Sequence, residues 1–312
     1  MTAKNRWFLL FRFLLTAAKN SEMQNIVIAP CGNKSDMFNS YWLNQKEIKQ
    51  FDLCLLFYHE KIDNPGLYID ADYFYHLKDF KYHMLYQLFT TVEPGWLQKY
   101  KYFYFLDDDI KINTQQINKM FALSAVFDSW ISQASLSQNS FCSWPMFRQQ
   151  DDSFCRFVGQ IEVMAPLFSA EALKKCLPSF IGNRSSWGVD SVWSKILDYP
   201  EDKLIVFDSV IMEHTKPVGE GELYKKIGID PKKDWENIIN QYGAKKQNYQ
   251  EYGRLAIIDK NHYLFNFLGI KGKEFFKTLQ RHINDYDLPS RVKSQLNKLT
   301  SSKNRKQGKK DI

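Results

Sequence analysis

Tyr102-Phe103-Tyr104-Phe105-Leu106-Asp107-Asp108-Asp109 sets a continuous apolar and aromatic run against three consecutive carboxylates. The run has the length and aromatic content of a buried strand, so the acids stand at that strand's C-terminal end. Charges of one sign packed this closely repel, which is explained if a cation is held among them. Hard oxygen donors suit magnesium or manganese, ions that in turn hold phosphate oxygens. The plainer reading is a solvated acidic turn before a helix, where Asp is favoured by the helix dipole.

Working outward, Asn25-Ile26-Val27-Ile28-Ala29-Pro30 reads as a short apolar strand that runs into the turn Cys31-Gly32-Asn33-Lys34-Ser35. A helical pattern over residues 40–49 and a second buried strand over 51–58 follow. Strand, helix and strand in alternation predict a parallel α/β sheet, whose ligands gather beyond the strands' C-terminal ends. Residues 78–91 and 94–100 read as helices leading into the acidic strand, and 115–127 as a helix capped by Thr114. Farther on, residues 158–165 read as a strand, and Ser169 caps a helix through Cys176. Trp187-Gly188-Val189-Asp190 opens a helix to Leu197, and 204–207 and 210–212 are two short strands ending in Glu213-His214. Beyond Gly221 the composition is hydrophilic and helical, with no second hydrophobic strand set.

With 312 residues and 16% aromatics, the chain has ample material for a substantial core. Its formal charge of +7 is concentrated at the two ends. Lys4, Arg6, Arg12 and Lys19 occur in the first twenty residues without an acid, and residues 301–312 hold five basic side chains against Asp311. A basic groove for nucleic acid is therefore not indicated; the ends suit an anionic surface such as a membrane leaflet, or are simply solvated. The apolar run 7–15 is interrupted by Arg12 and is too short to span a bilayer; it fits an interfacial helix, a packed helix or the apolar part of a signal peptide. Five cysteines without a C-x-x-C predict neither a zinc site nor a disulfide framework, and reduced thiols point to the cytoplasm. The absence of a P-loop and of G-x-G-x-x-G weakens kinase and dehydrogenase readings.

Three separated features belong together: the acids at 107–109, Trp187-Gly188-Val189-Asp190, and Glu213-His214. This ordered set resembles the nucleotide-sugar glycosyltransferases of the A-type fold. With residues 158–169 and Asp208-Ser209-Val210-Ile211-Met212-Glu213-His214, the stretch from about residue 24 to 220 looks like the family catalogued as domain of unknown function 707, itself grouped with those enzymes. The resemblance implies a Rossmann-like mixed central sheet flanked by helices, with a helical C-terminal extension. The corresponding division is a basic apolar segment at 1–22, a catalytic domain at 23–234, a helical extension at 235–300 and a basic disordered tail at 301–312.

The implied activity is metal-dependent transfer of a sugar from a nucleotide-sugar to a hydroxyl of a saccharide or lipid-linked saccharide, in surface polysaccharide or glycolipid assembly. A diphosphate leaving group needs its developing charge neutralised, which a divalent ion does as a Lewis acid. Asp107 and Asp109 are the acidic candidates, Asp109 first, and the resemblance implies His214 as a further ligand. Imidazole inclines the ion to manganese over magnesium. Asp108 is assigned to the donor's ribose or sugar, and by the resemblance Pro30, Cys31, Gly32 and Asn33 border its base and ribose. An inverting transfer needs a base opposite the leaving group, and Asp190 is the candidate, with an N-cap as its ordinary alternative. Trp187 could stack on a sugar, with Gly188 giving freedom beside it. Trp144 is an acceptor platform or core, and Glu162 either points outward by strand alternation or is buried near the acceptor. Arg156 and Arg184 contact an anionic ligand or lie on the surface. Peripheral contact with the inner membrane would follow from the basic ends. The rival classes are a metal-dependent nucleotidyltransferase and a non-catalytic carbohydrate-binding or scaffold protein.

Overall fold

The computed structural model describes residues 24–217, 228, 230–257 and 263–267. The expectations for 1–22, 268–300 and 301–312 lie outside the described residues. The chain opens with the parallel strands β1 (Asn25–Cys31), β2 (Asp52–Phe57) and β3 (Tyr73–His76), then helices α1 (Lys81–Gln87) and α2 (Trp96–Lys99), and reaches β4 (Tyr102–Phe105). A two-residue strand β5 (Ile110–Lys111), helix α3 (Thr114–Val126), β6 (Ile131–Leu136), β7 (Ser153–Val158) and β8 (Leu167–Ser169) follow. Helices α4 (Ala170–Cys176) and α5 (Val189–Ile196), β9 (Leu204–His214), α6 (Pro231–Tyr242), β10 (Glu251–Ile257) and β11 (Tyr263–Phe267) complete the described chain.

The central sheet is mixed and runs β11-β10-β7-β9-β6-β8-β4-β1-β2-β3, with β5 set apart on β9. β1 lies parallel to both β2 and β4, and β6 parallel to β9, whereas β8 joins the two parallel groups antiparallel to each. Phe103, Tyr104 and Phe105 are wholly buried because helices cover both faces of β4, which is why the strand reads as a continuous apolar run. The register Val27↔Tyr104 and Ile28↔Phe105 brings the ends of β1 and β4 side by side, so the turn after β1 and the three acids share one edge.

Several expected boundaries change, each for a local reason. The helix expected at 40–49 breaks into a π turn (Phe38–Trp42) and a 3-10 turn (Lys46–Ile48). Trp42 anchors this stretch, its indole donating to the Ile110 carbonyl at 2.8 Å. Thr114 is helical, and Asn113 is the cap, in a reciprocal capping box with Gln116. The strand expected at 158–165 ends at Val158. The loop that follows bonds elsewhere: Gly159 N–H to the Gln250 carbonyl and Glu162 N–H to the Gln133 side chain, while Met164 C=O accepts from Asp107 N–H. The two short strands beyond 204 are one strand, β9, whose pairing with β6 jumps from Ala134↔Phe207 to Ser135↔Ile211. Helix α6 answers the expectation of a helical extension, but Glu251–Ile257 then adds a strand antiparallel to β7 and so to the main sheet. Gly253 and Leu255 are buried between half-buried neighbours, the alternation of a one-sided strand. Among the described residues no helix is long and apolar enough to cross a membrane.

Candidate active site

β5 determines the first corner of the site. Ile110 pairs with His214 and Lys111 with Glu213, and the Asp109 carbonyl accepts from both Thr215 N–H (3.1 Å) and Thr215 Oγ1 (2.8 Å). The Asp109 carboxylate is thereby brought to His214, with Oδ1 3.5 Å from Nε2. His214 Nδ1 lies 2.9 Å from the Phe141 carbonyl, which makes Nδ1 the donor and leaves Nε2 to face the acid. Burial opposes the imidazolium, but the Asp109 carboxylate and the Phe141 carbonyl together raise the His214 pKa above its ordinary value.

The other two acids have separate partners. Asp107 Oδ1 accepts from Lys81 Nζ at 2.7 Å, and the same ammonium reaches the carbonyls of Val163 (3.0 Å) and Met164 (2.9 Å). Burial pushes Asp107 up to about 6 against the pull of Lys81. Asp108 Oδ2 accepts from Ser35 Oγ and, at 3.2 Å, from Tyr58 OH. The exposed Lys216 ammonium lies 3.9 Å from Asp108 Oδ1.

Among the described residues no three His, Cys, Asp or Glu side chains are already gathered closely enough to hold a metal ion. The donor chemistry nevertheless fits one at Asp109 and His214. Asp109 Oδ1 is buried with no hydrogen-bond partner, and a histidine whose other ring nitrogen donates to a carbonyl is oriented as metal-binding histidines are. Two protein ligands suffice for an ion that completes its shell with water and substrate phosphate oxygens. Asp107 has Oδ2 left for such a shell once Lys81 has taken Oδ1.

The turn after β1 is built as a wall. Gly32 N–H donates to Ser35 Oγ (2.8 Å), its carbonyl accepts from Tyr68 OH (2.9 Å), and Asn33 bonds to His59 and to the Lys61 carbonyl. Pro30 and Cys31 belong to β1 itself, paired with Leu56 and Phe57, and burial raises the Cys31 thiol pKa well above its ordinary value. Lys34 is exposed.

The opposite wall comes from the loop after β7 and from α5. Gly188, at φ 80°, is the cap of α5, and a Cβ there would come within 2.1 Å of Trp235 Cδ1, so only glycine fits. Asp190 therefore lies inside the first turn and is not the cap. It is 8% exposed, and burial pushes it up to about 7 although Ser191 N–H and the Gln160 side chain donate to it. Glu162 is buried, at 7% exposure, and does not point outward as strand alternation would have it. Its Oε2 has no hydrogen-bond partner among the described residues. Burial, then the nearby Asp190 charge, push it up to about 8, while His214 pulls it down. Glu162 thus stands within electrostatic reach of Asp107, Asp190 and His214.

Trp144 and Trp187 are half-buried, and both meet Trp235 of α6, at ring-centroid distances of 6.2 and 6.3 Å. Tyr249 packs against Trp144 at 4.7 Å. Arg156 is structural: its guanidinium makes a bidentate buried pair with Asp208 and donates to the Met146 and Arg148 carbonyls, which removes it from any anionic ligand. Arg184 is exposed and 3.8 Å from Asp79. Sequence reasoning missed Ser35, Tyr58, Lys81, Trp235 and Tyr249. Lys81 had a signal, a lysine in the first turn of a helix where the dipole disfavours it.

No family model and no curated protein matches the sequence. Among solved structures the chain is similar to S. aureus TarS 1-349 in complex with UDP-GlcNAc, with 12% identity over 88% of this chain and 70% of that one and a TM-score of 0.40. A second structure of TarS 1-349 gives 13% identity, 86% and 82% coverage and a TM-score of 0.41. The 4-diphosphocytidyl-2C-methyl-D-erythritol synthase of Anaerococcus prevotii is similar at 9% identity, with 68% and 96% coverage and a TM-score of 0.40.

Proposed function

We propose that this chain is a metal-dependent glycosyltransferase that moves a sugar from a nucleotide-sugar to an acceptor hydroxyl with inversion. The observation that carries the reading is the buried Asp109 Oδ1, without a hydrogen bond among the described residues and 3.5 Å from His214 Nε2, at the edge that also holds Asp108 and the turn after β1. A divalent ion, manganese in preference to magnesium, would supply Lewis-acid neutralisation of the departing diphosphate. Asp109 and His214 would hold it, with Asp107 as a further carboxylate at the same corner. Asp108, braced by Ser35 and Tyr58, faces the donor's ribose or sugar, while Gly32 and Asn33 border the nucleoside. Lys216 adds positive charge at the exposed mouth of this corner. Asp190 takes the proton of the acceptor hydroxyl as the new bond forms; a pKa near 7 suits a base working at neutral pH. Lys81 fixes Asp107 relative to the Val163–Met164 backbone and so holds the metal corner against the acceptor loop. The basic residues at both ends of the sequence would favour work at an anionic leaflet, where lipid-linked acceptors reside.

The test is thermal stabilisation by a panel of nucleoside diphosphates and nucleotide-sugars, with and without manganese. Manganese-dependent stabilisation by one base class is expected, followed by release of nucleoside diphosphate and not pyrophosphate. Pyrophosphate release would replace the proposal with nucleotidyl transfer, and no response to any nucleotide would sink it.

A further inference from the structure

The Glu162 carboxyl joins two parts of the molecule that the proposed chemistry treats separately. On one side its neighbour Val163 accepts, through its carbonyl, from the Lys81 ammonium that binds Asp107. On the other, Tyr249 directly follows Asn248, which is hydrogen-bonded to Gly159 and Gln160 of the loop that carries Glu162. Gln160, which donates to Asp190, also accepts from Asn248 N–H at 3.0 Å. The segment leading into β10 is therefore pinned to the floor of the site. Asn248 Nδ2 also donates to the Gly159 carbonyl at 3.0 Å, and a Cβ on Gly159 would lie 2.4 Å from the Asn248 carbonyl oxygen.

Above this floor the Tyr249 ring leans on Trp144 at 36°, and Trp235 meets Trp144 nearly edge-on at 70°. All three rings are half-buried and pack on the core, with Lys246 Nζ 4.9 Å from the centroid of the Trp235 ring. Partly exposed rings on the segment bonded to the loop of a buried carboxyl with an unused oxygen match the two faces of a pyranose. The C–H face of a sugar packs on a ring, and its hydroxyls satisfy buried polar groups. Leaving Glu162 Oε2 unpaired is costly, and a sugar hydroxyl removes that cost. Gln133, whose Oε1 holds the Glu162 backbone N–H at 2.8 Å, likewise has an Nε2 with no partner.

We infer that Glu162, Tyr249, Trp144 and Trp235 form a pyranose subsite for the acceptor, so that the C-terminal segment supplies acceptor recognition. This rests on the glycosyltransferase reading for the word acceptor, but sugar binding itself does not. Glu162 receives or donates a hydrogen bond at a sugar hydroxyl, and the rings hold the sugar's apolar face.

Saturation-transfer NMR on the full chain reads this directly, using the methyl glycosides of glucose, galactose, mannose, rhamnose and N-acetylglucosamine, with glycerol as a non-cyclic hydroxyl control. At least one glycoside is expected to receive saturation and glycerol none. Glu162→Gln and Tyr249→Ala should each weaken that binding roughly tenfold, the size of one hydrogen bond or stacking contact. Tyr249→Phe retains the ring and should bind within about threefold of wild type, which separates lost stacking from lost folding. Binding of no glycoside, or equal binding by wild type and Glu162→Gln, overturns the inference. Nucleotide-sugar stabilisation without any glycoside response removes the subsite alone. Glycoside binding without any nucleotide response supports the subsite and removes the transferase reading.

Discussion

The two walls of the site are built on opposite principles. Around the turn after β1, Gly32, Asn33, Ser35, Tyr58 and Asp108 bond to one another or to backbone, so this wall is complete without a ligand. Across the edge, Glu162 is buried with an unused oxygen beside a second buried carboxyl. A wall whose polar groups are satisfied keeps its shape; one that strands a carboxyl holds an electrostatic cost that a substrate can relieve. The difference assigns rigidity to the turn after β1, and chemical demand to the acceptor side and to the Asp109 corner.

The sharpest way to break this contrast is Asp190→Asn. If Asp190 is the base, transfer should fall by about 10²–10⁴-fold, as for loss of a general base, with nucleotide-sugar affinity nearly unchanged. In the wild type, log kcat/KM should rise with pH and level off above about 7, because the base works only once deprotonated. Retained turnover in the Asn variant would dismiss that role. Next in size, Asp109→Ala should cost roughly 10²–10³-fold in turnover, in the range of a lost electrostatic contact to developing charge. It should also abolish the manganese-dependent part of nucleotide stabilisation; a variant still stabilised by manganese would move the ion elsewhere.

A smaller effect tests the seam between α5 and α6. Gly188→Ala forces a side chain into a left-handed conformation and against Trp235, and should destabilise by about 1–3 kcal/mol in chemical denaturation. An unchanged midpoint would show that Trp235 moves aside freely. The last shift is in the favourable direction. The folded-state pKa of Glu162, about 8, lies above its ordinary 4.5, so folding favours the protonated form. That contribution is fully present below about 4.5 and is lost as pH rises through about 8. In metal-free buffer Glu162→Gln should therefore match wild type near about pH 4 and melt roughly ten degrees higher near about pH 9. Parallel melting curves across that range would show that Glu162 is solvated.

Much of the donor wall was legible because its strands are buried on both faces and carry unbroken apolar runs, as in β1, β2 and β4. The acids stand where the end of β4 puts them. β6 escaped notice because it is Ile-Ser-Gln-Ala-Ser-Leu, all buried, most of its polar atoms satisfied by contacts no sequence window contains. Ser132 meets Ser124 at 2.7 Å, Ser135 bonds to the Val210 carbonyl, and Gln133 holds Glu162 N–H. The loop after β7 looked like a strand because its residues are as apolar as one; its backbone bonds lead instead to a side chain and a distant segment. Trp235 and Tyr249 fall in a stretch whose hydrophilic composition describes its solvent face, and only the tertiary fold turns the other face to the site.

The pairing of Ile110 with His214 has a kinetic corollary. The Thr215–Asp109 contact that locks it spans 106 positions of sequence, so the metal corner depends on closing a long loop late, after the local parallel pairs can form. A refolding chain would regain its β1–β2–β3 pairs before it could hold an ion. Manganese would then act chiefly on the unfolding rate of the finished protein and little on the speed of its folding.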